Sequence, residues 1–261
     1  ELSKPGVLKD QVERLLTDPK ASRFTANFAG QWLELRNINA TSPDPQIYGE
    51  FDDFLFWSMP RETELFFEEI LRHDRSVIDF VHSDWTFLNQ RLAQHYGIAN
   101  VAGGVLRKVP LSPESHRGGV LTHASILKVT ADGTRTSPVL RGKWVMEVLL
   151  GTPPPPPPPN VPPLESAKGR SAKMTMRQQM ELHRGDPLCS SCHARMDPIG
   201  FALENFDAIG RYRTEDNGKP LDISSALPDG TKVEGIDGVR QLVLRNPDMF
   251  VEAMVSKLLM Y

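Results

Sequence analysis

Leu188-Cys189-Ser190-Ser191-Cys192-His193-Ala194 contains both cysteines of the chain, followed at once by one of its seven histidines. Thiols three residues apart lie on one face of a helical turn. There they can add to the two vinyl groups along one porphyrin edge. The next residue then lies beneath the iron, and its imidazole becomes the proximal ligand. This is the haem c attachment pattern. Two cysteines and seven histidines scattered at random would fall into it in roughly 2 to 3 of 10,000 chains. A redox dithiol would expect a thioredoxin-like βαβ context, but the flanks here are helical and proline-rich. A structural zinc site needs four ligands; Cys189, Cys192 and His193 supply three, and there is no second cysteine pair. The expectation is one covalently bound haem c, held by Cys189 and Cys192, with His193 on the iron.

Upstream of the motif lie seven consecutive prolines, Pro153 to Pro159, extended by Pro162 and Pro163. With φ fixed and no backbone donor, such a run is polyproline II, a stiff strut of roughly 20 Å. It serves either as a ligand for an aromatic-lined groove in another protein or as a spacer over this chain's own surface. Residues 168 to 185 read as a polar helix ending at Gly185-Asp186-Pro187.

Farther out, helical periodicity dominates. Val7, Leu8, Val12, Leu15 and Leu16 share one face of a first helix that Asp18-Pro19 ends. Phe24, Phe28, Trp32, Leu33 and Leu35 mark a second, and the aromatic run from Phe51 to Leu71, divided at Pro60, a third. This aromatic density reads as helix-packing core. Short glycine-flanked segments from Val105 to Val129 suggest strands or extended loops. Ser137-Pro138 opens a helix that Gly151 ends. Residues 214 to 238 read as loops with one small hairpin. Asn246-Pro247 then starts a last helix, which reaches Tyr261 without a stop signal.

The composition narrows the function classes. The chain has 261 residues, with 30 basic against 33 acidic side chains and a net charge of −3. Nothing in it marks a nucleic-acid partner, and no apolar run is long enough for a transmembrane helix. Two cysteines cannot form a disulfide scaffold. The start at Glu1 and the unfinished last helix suggest a piece of a longer protein.

Several residues are candidates around the iron. His123 and His183 are the histidines considered for its sixth position, and Met249, Met254 and Met260 are alternatives on the last helix. Met196, three residues past His193, stays on the proximal side. Arg135, Arg141 and Lys143 form a basic group suited to haem propionates or to a solvated face. His73, His82, His95 and His116 show no ligand spacing. Asp197, Glu204 and Asp207 lack the dense spacing of a calcium loop, so capping and salt bridges explain them better.

Three stretches resemble a known family. These are Arg117-Gly118-Gly119-Val120-Leu121-Thr122-His123-Ala124-Ser125, then Thr136-Ser137-Pro138-Val139-Leu140-Arg141-Gly142-Lys143-Trp144-Val145 with the following Leu150-Gly151-Thr152-Pro153 run, and finally His183-Arg184 with Cys189 through Asp207. Together they are similar to the planctomycete-type cytochrome c domain family. The resemblance implies a haem domain spanning residues 105–215 and including the polyproline segment 153–163. It also implies a helical domain at 1–104 and a truncated helical domain at 216–261. It further implies a secreted multidomain bacterial protein, commonly with another cytochrome-like domain upstream. His183 lies inside the matching stretch and is a candidate pocket residue.

The sequence thus predicts a mainly α chain: a helical N-terminal domain plus a c-type cytochrome-like domain with a polyproline II segment. Its expected function is haem c electron transfer in the periplasm or outside the cell, with redox proteins or a larger membrane-associated or extracellular complex as partners. The alternatives are a haem c peroxidase or oxidase with His123 as distal base, and a haem-bearing structural subunit of a larger assembly.

Overall fold

The computed structural model describes residues 2–156, 175–185, 187–216 and 218–261. Helices dominate, accompanied by three two-stranded antiparallel sheets. The polyproline expectation falls mostly outside the described residues: Pro153 to Pro156 are within them, Pro157 to Pro163 are not. Residues 168 to 174 of the expected polar helix also lie outside them.

Helix α1 (Pro5–Thr17) starts and stops where the sequence indicates, but buries none of its residues. Its apolar stripe is exposed at Leu8, Val12 and Leu15 instead of entering the core. Helix α2 (Ala21–Trp32) buries Phe28 and Trp32. The run from Phe51 to Leu71 resolves into a single helix, α3 (Asp53–Arg72), capped by the Asp52 carboxylate, which accepts from the Leu55 N–H. Pro60 lies inside α3 without ending it. Strand β1 (Trp85–Leu88) pairs with β2 (Arg107–Pro110), with Trp85 opposite Pro110. Helix α4 (Gln90–Tyr96) lies between them in sequence, and Gly97 ends it at φ +72°. The segment read as strands or loops up to Val129 therefore holds one short strand, β2, and finishes in helix α5 (Ala124–Val129). Phe66 stacks on Trp85 at 4.2 Å, and Trp32 meets Phe80 edge-on at 5.1 Å. The aromatic run is core, as expected, although Trp57 and Phe54 at its start remain exposed.

The site-bearing half is built on one close helix crossing. Helix α6 (Pro138–Trp144) is capped by the Ser137 hydroxyl and continues through a π turn at Val145–Leu149, ending near Gly151. Helix α7 (Met176–His183) opens with a capping box between Thr175 and Gln178. Helix α8 (Pro187–Ala202) carries the cysteine motif and packs against α6 through glycines. A Cβ on Gly142 would lie 2.0 Å from the Met196 carbonyl oxygen, and one on Gly200 would lie 1.9 Å from that of Pro138. These contacts also show that the two helices run antiparallel. The backbones touch, so α8 has a fixed register against α6.

Beyond α8 are two small hairpins where one was expected: β3 (Glu215–Asp216) with β4 (Lys219–Pro220), and β5 (Ser224–Ala226) with β6 (Lys232–Glu234). Helices α9 (Gly235–Leu244) and α10 (Pro247–Met260) complete the chain. Pro247 opens α10 as expected, but the Asn246 side chain makes no capping bond. One buried cluster runs from Phe28 through Phe66, Trp144 and Ile199 to Phe250, so all three expected domain spans contribute to a shared core.

Candidate functional site

Helix α8 presents Cys189, Cys192 and His193 on consecutive turns, all three half-buried. Cys192 packs against the apolar cluster that includes Met146 and Ile199. His193 Nδ1 lies 2.9 Å from Asp197 Oδ1, one turn further along the helix. Asp197 is fully buried, and Arg184 Nε stands 3.7 Å from its other oxygen. A carboxylate accepts, so Nδ1 carries the hydrogen of this bond, which leaves Nε2 as the ring nitrogen turned to other partners. A carboxylate behind an imidazole is the arrangement that orients a metal-ligating histidine and raises its basicity. The three motif residues therefore fit haem c: two thiols one turn apart, and an imidazole with a defined donor nitrogen. Asp197 was not assigned to the iron's surroundings from sequence, although its place four residues after His193 was the available signal.

Arg141 is 1% exposed, so it is not a surface cation awaiting a propionate. Its guanidinium donates to the carbonyls of Leu203, Phe206 and Asp207 at 2.7–2.8 Å, and lies 3.5 Å from Glu204 Oε1. Burial lowers its pKa to about 10. Arg141 is thus a clamp on the chain leaving α8. Lys143 pairs with Glu147, and Arg135 with Asp132. Glu204 accepts from Thr136 and Arg213, and Asp207 from Arg211, the salt-bridge roles expected of them.

His123 is buried between α3 and β1. Its Nδ1 lies 2.9 Å from Thr63 Oγ1, its Nε2 lies 3.5 Å from Thr86 Oγ1, and its ring meets Phe66 edge-on. Burial, reinforced by Arg117, pushes its pKa down to about 3, so the ring is neutral at physiological pH. His183 ends α7, and its side chain is outside the described residues. Met196 is buried, Met249 and Met254 are half-buried, and Met260 is exposed. His95 is buried against the Ile209 carbonyl, and His116 stacks on Tyr212. Among the described residues no three His, Cys, Asp or Glu side chains gather as a metal-binding group. None of the described helices is long and apolar enough to cross a membrane.

The stretch from the Arg117 loop through the motif helix to β3 has a counterpart among known families. Residues 117–216 match the PSCyt3 family model. Its description is a protein of unknown function (DUF1588). Residues 1–98 match PSD4, also described as a protein of unknown function (DUF1592). Both names come from planctomycete cytochrome-like families, and neither description states an activity. The first match contains the whole Cys189–His193 motif, Asp197 and the Arg141 clamp. No curated protein and no solved structure matches the chain.

Proposed function

We propose that this chain is a haem c electron-transfer protein acting outside the bacterial cytoplasm. The observation that carries the reading is the pairing of two thiols on one turn with an imidazole whose Nδ1 is tied to buried Asp197. Cys189 and Cys192 would hold the porphyrin edge through thioethers, and His193 Nε2 would be the proximal ligand. When bound, haem c supplies a one-electron ferric/ferrous couple. The chain's own residues fix the position of that couple. The α6–α8 glycine contact sets the helix, Arg141 anchors its exit, and Asp197 orients the imidazole. Haem c is attached outside the cytoplasm in bacteria, which places the protein in the periplasm or outside the cell. Partners would be redox proteins meeting the haem edge through a small transient interface. The peroxidase alternative would need His123 as a distal base, and its enclosure by Thr63, Thr86 and Phe66 favours the electron-transfer reading.

Expression in a host that matures haem c tests this directly. The expected product has a Soret band that survives denaturation and organic extraction. Cys189→Ala/Cys192→Ala is expected to lose all covalent haem. A zinc stoichiometry near one, with no Soret band, would overturn the reading. Asp197→Asn removes the anionic acceptor and leaves His193 a poorer electron donor. The reduction potential should rise by about 59 mV, a tenfold effect for a one-electron couple. An unmoved potential in spectroelectrochemical titration would remove Asp197 from that role.

A further inference from the structure

The carboxylate beside His193 has a second neighbour, from another helix. Asp197 is fully enclosed on α8, where a carboxylate is costly unless an opposite charge stands near it. Its Oδ1 lies 2.9 Å from His193 Nδ1. Its Oδ2 faces Arg184 Nε at 3.7 Å, too far for a hydrogen bond but within reach of an ion pair. Both of those atoms are buried, and neither has a hydrogen-bond partner among the described residues. Arg184 stands just past the end of α7, where its N–H donates to the Met180 carbonyl at 2.9 Å and that of Gly185 donates to the Leu182 carbonyl at 3.1 Å. The backbone under the guanidinium is thus tied to α7, while the carboxylate it faces belongs to α8. His183 is the residue that the sequence singles out in this stretch, and its neighbour reaches Asp197.

We infer that Arg184 is a positioning residue for His193, acting through Asp197. The inference rests on the haem c reading above in taking the imidazole as an iron ligand; the contacts themselves run from Arg184 to Asp197 to His193. A carboxylate can turn about its Cβ–Cγ bond. With a cation fixed at Oδ2, Oδ1 stays on Nδ1, and the ring is held in one orientation towards the iron. Without that cation the hold on the carboxylate plane is lost, and the imidazole loses a well-placed acceptor. Groups behind a ligating histidine tune the metal in this way, by fixing the ring and raising its basicity.

The test measures reduction potentials by spectroelectrochemical titration of the full chain matured in the haem c host. The variants are Arg184→Gln, Arg184→Lys, Asp197→Asn and the Arg184→Gln/Asp197→Asn pair. Arg184→Gln should raise the potential, as Asp197→Asn does, by on the order of threefold in the redox equilibrium, because it loosens the carboxylate without removing it. Arg184→Lys keeps a cation and should stay near the wild type. In the Asp197→Asn background Arg184→Gln should add nothing, as expected of residues that act one through the other. A cation acting only through its field would give the opposite sign: its loss would lower the potential, and by the same amount in both backgrounds. That result, or an unmoved potential, would overturn the inference. A second readout needs no haem. In the haem-free full chain, at a pH that keeps the ring neutral, histidine nitrogen NMR shifts should place the His193 hydrogen on Nδ1. Arg184→Gln should spread it over both ring nitrogens while the circular dichroism stays that of the parent. Covalent haem with neither potential nor tautomer moved by Arg184→Gln overturns the positioning role alone. No covalent haem, with a tautomer that follows Arg184, overturns the haem c reading and leaves the positioning role standing.

Discussion

Arg141→Leu should lower the unfolding free energy by about 3 to 5 kcal/mol, the cost of breaking a buried charged network from one side. The guanidinium is enclosed, and its donors satisfy the carbonyls of Leu203, Phe206 and Asp207. Leucine fills much of the volume but donates nothing, so three buried carbonyls lose a partner together. Glu204 keeps Thr136 and Arg213, which limits the damage on its side. For a chain of this size the unfolding midpoint should fall on the order of 10 °C. Lys143→Leu, two residues away on the same helix, removes only an exposed pair with Glu147 and should change stability by less than about 1 kcal/mol. Urea unfolding of both variants checks the contrast. Equal midpoints would show that the clamp is not what holds the exit of α8.

The same pair of residues shows how far the sequence could be read. Arg141 and Lys143 look alike as letters two positions apart. Only the helical stripe separates them: Arg141 lies three residues after buried Pro138 and three before buried Trp144, whereas Lys143 is off that line. The Cys189–His193 motif stands out in the sequence because its pattern is local, five consecutive residues at a fixed spacing. Asp197 was within reach for the same reason, one helical turn from His193. The α6–α8 contact was not, because Gly142 and Gly200 meet their partners across more than fifty residues of sequence. His123 was singled out in sequence because it sits in a recognisable stretch, yet its surroundings come from α3 and β1, far away along the chain. Helix α1 is the opposite case: its amphipathic period is real, but the described core does not meet it. Periodicity gives a helix its apolar face, and only tertiary packing decides whether that face is covered.

The buried cluster around His123 predicts how stability depends on pH. Glu62 is fully enclosed on α3, accepting from Thr86 Oγ1 at 2.6 Å and from the Tyr96 hydroxyl at 2.5 Å. His123 Nε2 stands 3.9 Å away, but the ring is neutral, so it offers Glu62 no ion pair. Arg117 lies over the Tyr96 ring at 3.7 Å and is the one cation whose field reaches Glu62 among the causes of its shift. Desolvation outweighs these contacts and raises the Glu62 pKa to about 7 from its ordinary 4.5. The folded chain therefore binds this proton more tightly than the unfolded chain does. The contribution to stability is fully present below pH 4.5, falls as pH rises towards about 7, and is lost above it. Between pH 4.5 and 8 the loss amounts to about 3 kcal/mol. Glu62→Gln keeps the shape and the acceptor but has no proton to lose. The hydroxyls of Thr86 and Tyr96 can rotate to meet its amide, at a fixed cost of about 1 kcal/mol. Unfolding free energies of the two proteins measured from pH 5 to 8 should therefore cross: the wild type is favoured at low pH, the variant at high pH. Parallel curves would mean that Glu62 is ionised in the folded state throughout, and that Thr86, Tyr96 and Arg117 offset its burial after all.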